Sequence, residues 1–219
     1  MTRGPALSEA RLDRFARHIV LPEIGGAGQV SLAGRHLVLI GLGGIGSPAL
    51  QYLAAAGIGK LTLVDDDRVE LSNLQRQTLY STRDIGHGKA VIAKRWITGF
   101  DPDLDVTISD RPAAVGRFQG QVGAFAGHRE DQACYRCFVG DAFDADDCDT
   151  CAEDGMLGAM AGWTASFAAM QAVRVLLDGV TDFGGAQWGT VHLMDGMAPA
   201  MRSFRIAKDP ACKGCGSGE

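Results

Sequence analysis

Gly34-Arg-His-Leu-Val-Leu-Ile40, running into Gly41-Leu-Gly-Gly-Ile-Gly46 and then Ser47-Pro-Ala-Leu-Gln-Tyr-Leu-Ala-Ala-Ala56, is the stretch whose reading decides the fold. The apolar run has the character of a buried parallel strand. Pro48 in a first helical turn and Gly57 just past the last one are start and stop signals for a helix. Leu61-Thr-Leu-Val64 reads as a second strand, ending in Asp65-Asp66-Asp67. Strand, glycine turn, helix and strand make one βαβ unit, which predicts an α/β chain built as a Rossmann-like, doubly wound, mostly parallel sheet.

Gly41, Gly43 and Gly46 give the turn a chemical use. Without side chains, backbone N–H groups can approach phosphate oxygens, and the helix N-terminus behind them adds partial positive charge. A carboxylate at the end of the second strand, here Asp65, can accept hydrogen bonds from ribose hydroxyls. This fingerprint fits an NAD enzyme as well as an ATP enzyme. Asn73, Arg76 and Lys89 downstream favour ATP, because two cations suit the charge that grows on an α-phosphate and on leaving pyrophosphate. By residue type alone, Arg76 and Lys89 read equally as solvated surface charges.

Outside the core unit, Leu12, Phe15, Ala16 and Ile19 keep helical spacing, predicting an amphipathic helix over 8–19 with Arg11, Arg14, Arg17 and His18 on its other faces. Pro22 and Gly25-Gly26 are read as its end. A helix over 87–99, strands at 106–108 and 121–125, a helix over 162–177, and a closing β-hairpin at 191–194 and 201–206 complete the expected order. The acidic stretch from Asp141 to Asp154 is read as a loop. One domain spans 1–219: a helical arm (1–33), a nucleotide-binding core (34–126), and a zinc and crossover-loop region (127–219).

The net charge of -5 gives no basic footprint for nucleic acid. No run of about 18 apolar residues could span a bilayer, and the first residues lack the apolar core of a secretion signal. The expectation is a cytoplasmic protein that binds neither nucleic acid nor membrane. In that setting the six cysteines argue for metal or chemistry rather than disulfides. Cys134/Cys137 and Cys212/Cys215 form two C-x-x-C pairs, a set suited to a structural zinc ion, with a redox pair or an iron–sulfur cluster as rivals. Cys151, beside Cys148 in the acidic loop, is a candidate reactive thiol, although Asp147, Asp149, Glu153 and Asp154 would raise its pKa. Asp144-x-Asp146 is not a calcium loop, because Asp149 and Gly155 occupy the positions that need Gly and Glu.

Four stretches resemble the MoeB/ThiF family, the bacterial relatives of ubiquitin-activating enzymes: Arg14-Phe-Ala-Arg-His-Ile-Val-Leu-Pro-Glu-Ile-Gly25, Gly41-Leu-Gly-Gly-Ile-Gly-Ser47, Leu71-Ser-Asn-Leu-Gln-Arg-Gln77 and Asp84-Ile-Gly-His-Gly-Lys89. The likeness continues through Cys134-Tyr-Arg-Cys137, Cys151-Ala-Glu-Asp-Gly155 and the C-terminal cysteine pair. It implies a homodimer that uses Mg-ATP to adenylylate the Gly-Gly C-terminus of a small ubiquitin-like sulfur-carrier protein of the MoaD or ThiS type. Matching positions put Gly44 and Asp65 on the nucleotide, and Asn73, Arg76 and Lys89 at its phosphates. Arg14 would reach the neighbouring subunit's γ-phosphate, and Cys151 would bond to the carrier or pass on sulfur. The four paired cysteines would hold Zn2+.

The chain departs from the family at one place. Members carry a further βαβ stretch after the strand at 106–108, with a D-x-x-D-N motif whose carboxylate binds magnesium. Here Ser109-Asp-Arg-Pro-Ala113 runs straight into Ala114-Val-Gly-Arg-Phe-Gln-Gly120, so a crossover of roughly forty residues is missing. Three readings stand: the 219 residues omit a segment of the natural chain, a true deletion has left a non-catalytic scaffold, or Asp65 to Asp67 hold the metal instead.

Overall fold

The computed structural model describes residues 7–109, 119–140, 157–198 and 200–216. The N-terminal part holds α1 (Glu9–Arg14), α2 (Ala16–Ile19) and α3 (Gly25–Ala33). The central unit follows as β1 (His36–Ile40), α4 (Gly46–Ala55), β2 (Lys60–Val64), α5 (Lys89–Phe100) and β3 (Asp105–Ser109). Further on lie β4 (Gln119–Gly123), the short α6 (Tyr135–Val139), the long α7 (Gly158–Leu177), β5 (Thr190–Asp195) and β6 (Ala200–Arg205).

β1, β2 and β3 pair in parallel in that order, with Leu37 opposite Leu61 and Leu61 opposite Val106. β4, β5 and β6 form a separate antiparallel sheet. The expected parallel sheet is present, and among the described residues a separate antiparallel sheet of equal strand number stands beside it in the chain's architecture. The β5–β6 hairpin stands where expected.

The core lies on one face of the parallel sheet. Leu61 and Leu63 of β2 bury against Leu50 and Leu53 of α4 and Ile92 and Ile97 of α5, with Ala165 and Ala169 of α7 closing the layer. On β1, Leu37 and Leu39 turn to that core, whereas Val38 and Ile40 are 54% and 64% exposed. A purely parallel sheet normally has both faces covered. Here the second face is open around Val38, His36 and Thr62, and no described strand lies along the outer edge of β1.

The N-terminal region corrects two expectations. The single helix over 8–19 breaks at Phe15, whose ψ of 14° leaves the helical range. Phe15 is buried beside His18 and Arg11, while Leu12, expected on the inner face, is 45% exposed. Arg11 turns inward instead, and its Nη1 donates to both carboxylate oxygens of the buried Asp101 at 2.7 and 2.6 Å. The glycine-rich segment read as a helix stop is itself α3. Its glycines disfavour a helix in isolation, but α3 packs Leu32, with Ile24 just before it, against Leu177 of α7. A Cβ on Gly28 would stand 3.1 Å from Thr181.

Candidate functional site

The glycine turn is built by close contact. Gly41 has φ +83°, a conformation that favours glycine. A Cβ on Gly46 would fall 1.8 Å from the Gly41 carbonyl oxygen, so α4 starts against the backbone of the turn it caps. Gly43 is different: a Cβ there would meet only Gln77 Nε2, at 3.7 Å, and otherwise faces open space. One glycine serves packing and the other leaves room. Gly44 lies between them in the same turn.

Asp65 fixes this turn to the end of β2. Its Oδ2 accepts from the Leu42 N–H at 2.6 Å and its Oδ1 from the Asp67 N–H at 2.9 Å. Each oxygen keeps a lone pair for another donor. Tyr80 donates to the Leu42 carbonyl oxygen at 2.9 Å. Burial, and then the charges of Asp65 and Asp67, push its phenol far above the usual range, so it stays a neutral donor.

The cations read from sequence come to the same edge. Lys89, at the first position of α5, is buried, and its Nζ reaches the exposed Asp67 at 2.7 Å. Arg76 donates to the Ser72 carbonyl oxygen and to Oδ1 of the buried Asn73, both at 3.0 Å. Gln77 is a residue that sequence reasoning passed over. It is 2% exposed beside Gly43, and its Oε1 has no hydrogen-bond partner. An orphaned buried amide next to a phosphate-type loop is the signal that marks it, and only coordinates supply it.

Arg14 is not brought to this edge. It stacks over Phe100 at 5.4 Å, at the far end of α5, about 16 Å along the helix from Lys89. Cys148 and Cys151 lie outside the described residues, as does Asp110. The described chain resumes at Leu157, and a Cβ on Gly158 would stand 2.4 Å from the Gln75 carbonyl oxygen, so α7 begins against the Arg76 segment.

The four paired cysteines form a second cluster, with their sulfurs all within 4.8 Å of one another. Cys134 to Cys137 is 3.8 Å, Cys134 to Cys212 3.6 Å and Cys137 to Cys215 3.5 Å. Bonds of about 2.3 Å to one tetrahedral ion would separate sulfurs by about 3.8 Å. The donor set fits zinc. Burial raises the thiol of Cys137, but N–H groups of Asp209 and Cys134 outweigh it and hold it at about 7, while burial leaves Cys215 at about 12.

A model of the ThiF family matches residues 15–114 and 111–214. The chain belongs to the ThiF family. As a ThiF-family member it is 32% identical to the SAMP-activating enzyme E1 of Haloferax volcanii, over 97% of this chain and 92% of that one. It is also 32% identical to the sulfur carrier protein adenylyltransferase of Thermus thermophilus, covering 95% of this chain and 92% of that one. The molybdopterin-synthase adenylyltransferase of Escherichia coli is 29% identical, over 96% and 98%. Among solved structures, E. coli MccB with ATP gives a TM-score of 0.76 at 17% identity, covering 97% of this chain and 75% of that one, a likeness of fold. The Haloferax comparison runs over 255 positions against a chain of 219, and the two family matches meet at 111–114. ThiF relatives thus carry an internal segment that this chain lacks, at the place read from sequence.

Two outcomes test the site's construction. Gly46→Ala should unfold or severely destabilise the protein in thermal melts, whereas Gly43→Ala should melt within about 0.5–1 kcal/mol of the parent and lose affinity for nucleotide by calorimetry. The turn before Lys89 is fixed by Asp84, whose carboxyl is held below the usual range first by the Ser81 hydroxyl, against burial, and then by the Ser81 N–H and Arg95. A depressed carboxyl stabilises the fold above its unfolded pKa, and that contribution is lost as pH falls through the folded value. Asp84→Asn should therefore melt about 2–4 °C lower at pH 7, from loss of a cap worth about 1 kcal/mol, with the gap closing in acid.

Proposed function

We propose that this protein uses ATP to adenylylate the C-terminal carboxylate of a small ubiquitin-like sulfur-carrier protein ending in Gly-Gly, of the MoaD or ThiS type, for molybdopterin or thiamin synthesis. The observation that carries the reading is one edge that gathers an open glycine turn, a buried lysine and a fixed arginine. An oxidoreductase would need no such pair of cations, and the relatives are named adenylyltransferases.

The triphosphate lies against the Gly41–Gly46 turn, with ribose hydroxyls donating to the free lone pairs of Asp65. The carrier carboxylate attacks the α-phosphorus, one P–O bond forms, and the bond to the β-phosphate oxygen breaks to release pyrophosphate. No enzyme nucleophile is required. Lys89 shifts from Asp67 to the phosphates and stabilises the growing charge. Arg76, oriented by Asn73 and the Ser72 carbonyl oxygen, does the same from the other side. Gln77 supplies its unpartnered amide at the open face of Gly43.

Magnesium would neutralise charge on the phosphates. Both oxygens of Asp65 accept backbone N–H groups, and the family's D-x-x-D-N motif is absent from this sequence. Asp67, once released by Lys89, and the exposed Asp66 would be the carboxylates to hold the ion, since magnesium needs only one or two protein carboxylates beside the phosphates. Arg14 faces away from its own turn, which suits a role at a second subunit's nucleotide in a homodimer. Cys151 remains the candidate thiol for bonding to the carrier. Zinc at Cys134, Cys137, Cys212 and Cys215 ties the start of α6 to the C-terminal tail.

The reading is tested by carrier-dependent exchange of labelled pyrophosphate into ATP. Exchange is expected with at least one carrier, falling about 100-fold or more in Lys89→Ala, the scale seen when one transition-state donor is lost. A non-catalytic scaffold of the same fold would bind carrier without exchange, and that result overturns the reading. Zinc analysis should find one ion per chain, and its chelation should lower the melting temperature; a metal-free protein of unchanged stability would refute the zinc site.

A further inference from the structure

A cavity of about 710 Å³ lies between α7 and the β5–β6 hairpin, apart from the glycine turn. Its floor is Gln171 and His192, each more than nine-tenths buried, and Phe167 and Trp188 form apolar walls. Arg174 lines one side and Arg205 the rim.

The polar groups here have too few partners. Gln171 is 8% exposed, yet its amide makes no hydrogen bond among the described residues. The buried Nε of Arg174 has none either, and its guanidinium only faces the Phe183 ring at 5.7 Å. Neither Arg174 nor Arg205 has a carboxylate partner within ion-pair distance in the described structure. Among the described residues two acids touch the lining: Asp131 accepts from Gln132 Nε2 at 2.8 Å, and Asp178 accepts from Trp188 Nε1 at 3.4 Å and is engaged by Arg129 at 3.9 Å. His192 is held by Ser203 at 2.7 Å and sits edge-on to Phe167. Burial and then Arg174 hold its pKa below the ordinary value, so the positive charge beside the floor is that of the arginines.

The buried Arg174 Nε left without an acceptor costs about 1–3 kcal/mol unless something in the cavity satisfies it. Arginine and an amide in that arrangement donate to an oxyanion, and aromatic walls accept an apolar body. We infer that the cavity between α7 and the β5–β6 hairpin binds a small organic anion, its carboxylate or phosphate oxygens taken by Arg174 and Gln171 and its body lying against Phe167 and Trp188. The site is independent of the nucleotide-binding edge and of the adenylylation reading.

Titration of the whole protein with succinate and, separately, with inorganic phosphate tests this, followed by the Arg174 Nε–H and Trp188 indole resonances. A saturable shift of both resonances is expected with at least one probe, and the probe that acts tells carboxylate from phosphate. Arg174→Gln and Gln171→Met should each weaken binding about tenfold or more, and Gln171→Met keeps the test open should the arginine variant fold poorly. Lys89→Ala, which disables the nucleotide edge, should leave the shifts unchanged. No saturable shift with either probe, or equal affinity in the folded variants, overturns the inference. Loss of the shifts in Lys89→Ala also overturns it, by assigning the anion to the nucleotide edge.

Discussion

The contact on which the rest depends is the approach of the first turn of α4 to the Gly41 carbonyl oxygen. At 1.8 Å from a Cβ placed on Gly46, it admits no side chain, and it sets how α4 leaves β1. That angle lets Leu50 and Leu53 reach the core over β2, and it aims the helix N-terminus at the open side of Gly43. The packing of α4 and the open side of the turn thus share one piece of backbone. Asp65 adds the second fixed point by tying the Leu42 N–H to the end of the neighbouring strand.

Around this turn, charge is stored rather than spread over the surface. Lys89 is buried but keeps an exposed carboxylate partner, Asp67, so its ammonium is compensated without being committed. An ion pair with one solvated member exchanges for a phosphate at less cost than a fully buried one, whose desolvation has been met by a fixed geometry. Arg11 and Asp101 are the contrasting case: both are buried, the contact is short, and the pair fastens α1 to the end of α5. One pair keeps a solvated member and the other is buried on both sides.

The second face of the parallel sheet shows what the missing crossover removes. Val38 and Ile40 stand exposed on a strand whose Leu37 and Leu39 face the core, and β4 joins β5 and β6 rather than β1. ThiF relatives carry extra residues at this point of the chain. The glycine turn, Asp65, Lys89 and Arg76 stand at the strand ends, apart from this face.

The sequence alone determined the βαβ unit, the glycine turn, its acidic strand end and the pairing of cysteines, because each rests on local spacing: an apolar run, glycines at fixed intervals, two C-x-x-C pairs. Asn73, Arg76 and Lys89 were legible as well, through their motifs. Tertiary structure alone decided that α3 is a helix despite its glycines, since only Leu177 and Thr181 across the fold give it a surface to pack on. It also decided that Arg11 is buried while Leu12 is not, because the partner is Asp101, 90 residues away. Gln77 and the Gln171–Arg174 cavity were invisible for a related reason. An unpartnered polar atom is a property of everything around it, and no spacing along the chain records what fails to arrive.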